Sequence, residues 1–430
     1  MSQAFDLSEE GARRLDRDDP LAPMGERFFR PADAIYLDGN SLGLACRDAE
    51  AALHHRMAEW KALAVRGWLE GDGPWFHYAE DMGALVAPLV GARPEEVSFT
   101  GTTTVNLHSM AATFFRPRGQ RRKILADALA FPTDVFALRD QLRLQGGDPD
   151  EDLVLVPSRD GRTIDEQDVI DQLTDEIALV LLPSVLYRSG QLLDLERLAR
   201  AARQRAIPIG FDCSHSVGAI PHRLHDWGAD FAVWCSYKYL NGGPGCSGFL
   251  FLHERNFERQ AGLSGWFGAD KATQFDLGLD FQQARSAGGW QISSPGILGS
   301  ATIAGALKVI LEAGIDRIRE KSLRLTAYLM HLVDERLAEA PHRFRVGTPR
   351  AAERRGGHVA LEHPSDAARI CLALRARGIV PDFRPPNVIR IAPVALYNTF
   401  HEVWLAVDEL VRIVASQDYL RYDPNQVEVT

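Results

Sequence analysis

The sequence predicts an α/β protein in which a mostly parallel sheet is covered by helices on both faces and followed by a smaller α+β domain. Three observations carry this reading. From Val97 onward, short β-rich runs (VSFT, KILA, LVLV, IALVLL, IPIGF, DFAVW) alternate with stretches of helical periodicity, the pattern of strand–helix–strand units. Those runs are almost continuously apolar, as strands buried on both faces must be. At 430 residues the chain is also too long for one ordinary core, so two domains are expected.

Taken in order, the first element has extended character at Ala34 to Leu37 and enters a tight turn, Asp38-Gly39-Asn40-Ser41-Leu42-Gly43. Turn chemistry alone accounts for the glycines and Asn40. Apolar residues at helical spacing (Ala51, Leu53, Met57, Trp60, Leu63) place a helix over Asp48 to Val65. The loop after it, Arg66 to Tyr78, carries Trp68, Trp75 and Phe76, more aromatic surface than a loop exposes without a partner or ligand. VSFT leads into GTTTVNLHSMAATFF, whose second half reads as helix, and Leu195 to Arg205 reads as another. GFLFLH (Gly248 to His253) follows DFAVWCS too closely for a crossover helix, so it is expected to be an antiparallel neighbour. The character changes near Ser293-Ser294-Pro295-Gly296. A long helical stretch over 301–338, bent near Gly314, precedes HVALEH, a helix over 365–377, VIRIAPV and a last helix over 399–416. The expected division is 1–50 as a segment packing with the small domain, 51–298 as the large domain and 299–430 as the small one.

Composition narrows the function. Lys plus Arg number 48 against 58 Asp plus Glu, a net charge of −10, with no basic face for nucleic acid. The longest apolar stretch, Ile177 to Val185, is broken by Pro183 and too short for a bilayer. Five cysteines with no C-x-x-C pair read as reduced thiols of a cytoplasmic protein, not a disulfide frame or a zinc site; no metal site is expected.

The chemistry concentrates between Asp212 and Cys246. IPIGF stops at the carboxylate of Asp212, and DFAVWCS stops at Tyr237-Lys238, ahead of Asn-Gly-Gly-Pro-Gly. Each apolar run thus delivers an ionisable residue at its carboxyl end, where open α/β sheets bind ligands. An acid and an amine so placed suit pyridoxal phosphate, which is held as a lysine Schiff base with an acidic partner on its ring nitrogen. Either residue alone is as well explained as a polar strand end; the pair with the glycine-rich turn favours a site. Gly101-Thr102-Thr103-Thr104, between strand and helix, reads as an anion site or as ordinary N-capping. Phe131, in Phe-Pro-Thr-Asp, reads as a stacking ring or a hydrophobic staple. His215 lies within reach of Asp212, and Tyr237 is placed to reach a phosphate or donate a proton. Arg390 has the fork geometry for an amino-acid carboxylate.

Several rarer strings add to this: Y-L-D-G-N-S-L-G (Tyr36 to Gly43), V-N-L-H (Val105 to His108), F-P-T-D (Phe131 to Asp134), C-S-Y-K-Y-L-N-G-G-P-G (Cys235 to Gly245) and S-G-W-F-G (Ser264 to Gly268). In these and in their order the chain resembles the kynureninases, pyridoxal-phosphate enzymes of fold type I in the class V aminotransferase group, from about Leu15 to the last helix. The resemblance implies a sheet of the seven-stranded type and hydrolysis of L-kynurenine to anthranilate and L-alanine in tryptophan degradation, with the 3-hydroxy derivative as a second candidate substrate. Lys238 then resembles the cofactor lysine, Asp212 the pyridine partner and Phe131 the stacking aromatic. Thr103, Thr104 and Tyr237 resemble phosphate contacts, with Asp134 and His215 beside the cofactor. Trp266 and Ser294 fall where the second subunit of a homodimer contacts it, implying a shared active site. Arg390 resembles the substrate-carboxylate arginine, and Trp68, Asn40 and Ser41 fall where substrate contacts are expected. Leu186, Ala269 and Ser293-Ser294 depart from the usual family residues and bear on the exact substrate. The alternatives are another class V enzyme, such as a cysteine desulfurase, and an inactive scaffold of the same fold.

Overall fold

The computed structural model describes residues 5–427. Its centre is a seven-stranded sheet built from β1 (Val97–Phe99), β2 (Lys123–Asp127), β3 (Leu153–Val156), β4 (Ile177–Pro183), β5 (Ile209–Asp212), β6 (Phe231–Trp234) and β7 (Phe249–Leu252). Their spatial order is β1-β7-β6-β5-β4-β2-β3. The four pairings among β2 to β6 are parallel, while β7 runs antiparallel to both β1 and β6, as its short connection to β6 requires. β4, β6 and β7 are buried along their whole length, which is why their sequences do not alternate. Trp234 on β6 stacks on Phe249 of β7 at 5.7 Å and 12°.

Because β7 reverses direction between β6 and β1, the carboxyl ends of β1, β2, β4, β5 and β6 all open on one edge. Five loops therefore converge there: 100–102, 128–131, 184–187, 213–216 and 235–238. Helices α1 (Thr103–Phe114) and α2 (Pro132–Leu144) start directly from that edge. The first begins at Thr103, earlier than the second half of its run, where helical periodicity becomes visible.

The expected long C-terminal helix is two helices, α3 (Thr302–Ala313) and α4 (Ile315–Arg336), separated by Gly314 at φ +80°. That backbone region suits glycine, and it turns the expected bend into a break. α3 buries Ile303, Leu307 and Ile310 in the same core as the large sheet, and Gly305 allows its backbone to lie on that of Asp48 in the helix Arg47–Leu63. A second core begins further along α4, at Leu325. There α4 and the helices α5 (Ala367–Ala376) and α6 (Phe400–Ser416) cover an antiparallel sheet of β8 (Arg345–Val346), β9 (Val359–Glu362), β10 (Asp382–Arg384) and β11 (Val388–Ile391), ordered β10-β11-β9-β8.

The N-terminal residues join this second core. Ile35 and Tyr36 pair in parallel with Ile379 and Val380, and Ala12 and Leu37 are buried with α4 and α6. The Asp16 carboxylate accepts the N–H groups of Phe400 and His401 at 2.6 and 3.0 Å, a charge placed where the N-terminal end of α6 favours it. Lys321 and Asp19 form a buried ion pair at 2.6 Å.

Candidate active site

Asp212 is the last residue of β5, as the sequence predicts, and its Oδ1 accepts the Ser214 N–H at 2.8 Å. Lys238 is not the end of a strand. β6 stops at Trp234, and the chain then turns, with the Ser236 carbonyl accepting from Gly242 and the Lys238 carbonyl from Asn241. The alternation that would have sent Tyr237 and Lys238 to opposite sides ends with the strand. Lys238 reaches the site because this turn folds back over the sheet edge.

The Lys238 Nζ lies 3.0 Å from His215 Nε2. The expected support of Asp212 by His215 is replaced by this contact with the lysine. Burial, with Lys238 and Arg390 nearby, holds His215 well below the ordinary histidine range. Its ring is therefore neutral; Nε2 accepts from the amine and Nδ1 carries the proton. That Nδ1 is buried without a protein partner, leaving an unspent donor beside Lys238. On the other side, burial first and the charge of Asp212 second push the Asp134 carboxyl well above the usual carboxylate range. Asp127, at the end of β2, is pushed up to about 6 by burial. Asp134 thus holds a proton against Asp212, because a buried carboxyl beside a second carboxylate resists ionising.

Thr103 and Thr104 open α1, whose N-cap Thr102 makes no side-chain cap. The Thr103 hydroxyl is buried without a partner, so the first turn presents uncapped N–H groups and a hydroxyl to an anion. Phe131 is exposed and meets Tyr187 edge-on at 5.2 Å, which leaves a face free for a flat ligand. Tyr237 is half-buried, and burial raises its phenol, so it stays protonated.

Arg390, on β11, is almost fully buried. Its Nε donates to Asp382 at 2.5 Å, Nη1 to the Tyr187 carbonyl at 2.7 Å and Nη2 to Ser41 Oγ at 3.1 Å. Arg384 shares the same Asp382 oxygen at 2.9 Å. The turn carrying Ser41 and the buried Asn40, whose amide has no protein partner, is pressed onto the lysine loop. The Gly43 N–H donates to the Tyr237 carbonyl at 2.7 Å. A Cβ on Gly43 would stand 2.4 Å from the Lys238 carbonyl, so close approach, beyond turn chemistry, requires that glycine.

Three residues named from the sequence belong to a second group. Trp68 packs edge-on against Trp75 and tilts onto Phe267, both at 5.7 Å. Trp266 is exposed and touches Phe267. Ser294 is exposed on the segment whose Ile292 carbonyl lies against Gly265. Sequence reasoning missed four contributors at the first group: Tyr187, Asp382, Ser184 and His358. Ser184 Oγ lies 3.1 Å from the Asp212 carbonyl oxygen and 2.6 Å from Ser216 Oγ. His358 is fully buried, 5.9 Å ring to ring from His215. A lone histidine or serine in an apolar run carries no local signal.

The residues at this edge fit pyridoxal phosphate: an uncapped helix start for the phosphate, an acid pair carrying one negative charge for the ring nitrogen, an exposed ring for the pyridine face and an amine for the aldehyde. Solved structures define the class. An apo cysteine desulfurase from Thermococcus onnurineus NA1 superposes with a TM-score of 0.76 at 20% identity, covering 94% of this chain and 98% of that one. The cystine C–S lyase C-DES, in complex with its product cysteine persulfide, gives 0.74 at 16% identity over 88% and 98%. The fold is that of the fold-type-I pyridoxal-phosphate enzymes.

Residues 318–410 match the family model for the kynureninase C-terminal domain. Kynureninases from Geobacillus thermodenitrificans (strain NG80-2) and Bacillus anthracis are each 49% identical, over 428 and 427 residues, with 99% or more of each chain covered. The chain belongs to the kynureninase family.

Proposed function

We propose that this protein hydrolyses the bond between Cβ and Cγ of L-kynurenine, giving anthranilate and L-alanine, with pyridoxal phosphate bound through Lys238. The observation that carries this is the Lys238 amine, 3.0 Å from a neutral His215, on the same sheet edge as the Asp212–Asp134 pair. When bound, the cofactor supplies the electron sink that allows Cα–H and then Cβ–Cγ cleavage.

The chain's own groups do the rest. Arg390 takes the substrate carboxylate, with the Ser41 hydroxyl standing where one carboxylate oxygen would come. Asp212 and the protonated Asp134 hold a proton on the ring-nitrogen side. Lys238 moves the Cα proton, and His215 accepts a hydrogen bond from the amine and orients it. Tyr237, kept protonated by burial, is the acid that protonates Cβ after anthranilate leaves. Thr103 and Thr104 hold the phosphate, and Phe131 covers the ring.

Trp68 lines the aryl end of the pocket, and in a homodimer Trp266 and Ser294 reach the cofactor site of a second copy. The exposed apolar side chains around them, Leu263, Phe275 and Leu277, support an interface there. No helix among the described residues is long and apolar enough to cross a membrane, and five free buried cysteines are consistent with a cytoplasmic protein. Those cysteines also separate the chain from the desulfurases whose fold it shares, since a desulfurase needs an accessible thiol on a loop. Borohydride reduction and peptide mapping, run beside an anthranilate assay, test the reading. An adduct on Lys238 with anthranilate release is expected; an adduct on Lys271 or Lys308 overturns it.

A further inference from the structure

On the opposite edge of the sheet from Lys238, three side chains distant in sequence bring their ligand atoms together. Glu96 immediately precedes β1, His253 immediately follows β7, and His225 lies on the short helix Leu224–Trp227. The antiparallel register pairs Val97 with Phe251 and Phe231 with Leu252, which fixes Glu96 and His253 beside the start of β6. Lys238 lies beyond the far end of that strand, about 13 Å of strand away at roughly 3.3 Å per residue. His225 Nδ1 stands 2.9 and 3.0 Å from the two Glu96 oxygens, and His253 Nδ1 is 3.6 Å from Oε1. The two imidazoles stack at 4.7 Å with 25° between planes, so both Nδ1 atoms face the same carboxylate. All three ligand atoms lie within 4.8 Å of one another.

We propose that Glu96, His225 and His253 form a divalent transition-metal site, with zinc(II) as its first occupant, that staples three segments at the sheet's amino-terminal edge. Two imidazoles and a carboxylate are the donor set that borderline cations such as zinc take. Two ligands at about 2.1 Å from a tetrahedral ion stand about 3.4 Å apart, and the observed separations of 2.9 to 3.6 Å bracket that value. The Glu96 side chain is fully buried while those of His225 and His253 are 22% and 12% exposed, giving an entry path and room for water in the fourth position.

The carboxylate is held rigidly from behind. Glu96 Oε1 accepts the Glu254 N–H at 2.8 Å and Oε2 the Arg93 N–H at 3.0 Å, the outer hydrogen bonds that fix a metal-binding carboxylate. Binding through Nδ1 takes the His225 tautomer with its proton on Nε2, so the Nδ1 proton now facing Glu96 passes by way of solvent to Nε2, and it releases the weak 3.3 Å bond that His253 Nδ1 accepts from the Arg255 N–H. The nearest cations are already engaged, Arg93 with Glu254 and Arg255 with Asp230, and the five buried cysteines do not compete for the ion.

The test uses the full-length holoenzyme, dialysed against a chelator and titrated with zinc chloride in competition with a chromophoric chelator. One equivalent per chain is expected, with affinity lowered at least tenfold in His225→Ala and in His253→Ala, and a zinc-dependent rise in thermal midpoint that both variants lose. Cobalt(II) supplies a second readout: the wild type should develop visible bands of a tetrahedral nitrogen–oxygen site, and the variants should not. Both histidine variants keep the Glu96 hydrogen bonds to Arg93 and Glu254, so they are expected to fold. Zinc affinity and stoichiometry unchanged in the double histidine variant would overturn the proposal, as would a wild type that binds no zinc or shows only the octahedral spectrum of cobalt in water.

Discussion

His222 offers the sharpest test of the electrostatics beneath the site. Its Nδ1 is 2.8 Å from the Ile220 carbonyl, which can only accept, so Nδ1 carries the proton of the neutral ring. Nε2, 2.9 Å from Ser216 Oγ, then accepts from that hydroxyl. Ser216 in turn takes the proton of Ser184, 2.6 Å away. Protonating His222 reverses its end of this chain: Nε2–H must donate to Ser216, whose hydroxyl swings to the Cys213 carbonyl at 3.1 Å. Burial is the main reason the charged form is disfavoured, with Arg319 adding to it, and together they push His222 from 6.5 down to about 4.

A histidine whose folded value is depressed binds fewer protons folded than unfolded, so it contributes stability above about pH 6.5 that is lost as the pH falls towards 4. With 1.36 kcal/mol per unit, the loss between pH 7 and pH 5 comes to about 2 kcal/mol from this residue alone. Urea unfolding of the holoenzyme at both pH values, beside His222→Gln, measures it. The wild type should lose about 2 kcal/mol more than the variant over that interval. Equal losses would show that His222 is not the buried neutral base that its two hydrogen bonds define.

Three further outcomes are expected. Asp382→Asn leaves Arg390 and Arg384, 1% and 12% exposed, without their shared counter-charge; unfolding in urea should show a loss of about 3–5 kcal/mol, with a raised KM for substrate as Arg390 loses its anchor. Asp212→Ala should slow Cα deprotonation greatly, seen as lost exchange of the Cα proton with deuterated solvent, because the ring nitrogen loses the charge that keeps it protonated; near-normal exchange would assign that task to Asp134. Trp68 offers an aryl 3-hydroxyl no acceptor, at a cost of about 1–3 kcal/mol, so L-kynurenine should exceed its 3-hydroxy derivative about tenfold or more in kcat/KM and Trp68→His should narrow the gap; a wild type that favours the hydroxylated substrate would move the explanation to Ser293-Ser294.

Much of the frame was legible because its signals are local. The buried strands declare themselves by continuous apolar runs, the short β6–β7 connection forces antiparallel pairing, and Asp212 marks a strand end where ligands bind. The rest depends on contacts that no periodicity encodes. Lys238 arrives by a turn after β6, so its place is set by hydrogen bonds from Gly242 and Asn241, not by strand alternation. The partner of His215 is invisible for the same reason: three residues from Asp212 in sequence, it lies against a lysine 23 residues on. Arg390 was readable as a carboxylate fork, yet Asp382, which fixes it, sits in a β-turn-β unit with no motif of its own. The Glu96 and histidine cluster joins Glu96 to His225 and His253, more than a hundred residues further on, and none of its members lies in a ligand spacing that a sequence scan would register.

The glycines of the N-terminal turn show how the two kinds of information meet. Read alone, Gly39 and Gly43 are turn residues. In the fold a Cβ on Gly39 would strike the Tyr397 hydroxyl at 2.2 Å, and one on Gly43 the Lys238 carbonyl at 2.4 Å. The turn is therefore wedged between the start of the last helix and the lysine loop, with Ser41 on Arg390 between them. Its strand, Ile35–Tyr36, pairs with the small domain, while its far end donates to the Tyr237 carbonyl in the large one. The same six residues thus fix the distance between Arg390 and Lys238. With Arg390 and Lys238 in the proposed roles, a substrate that bridges the two is measured by a turn whose glycines leave no slack, and positioning of this kind contributes to rate through alignment of the reacting groups.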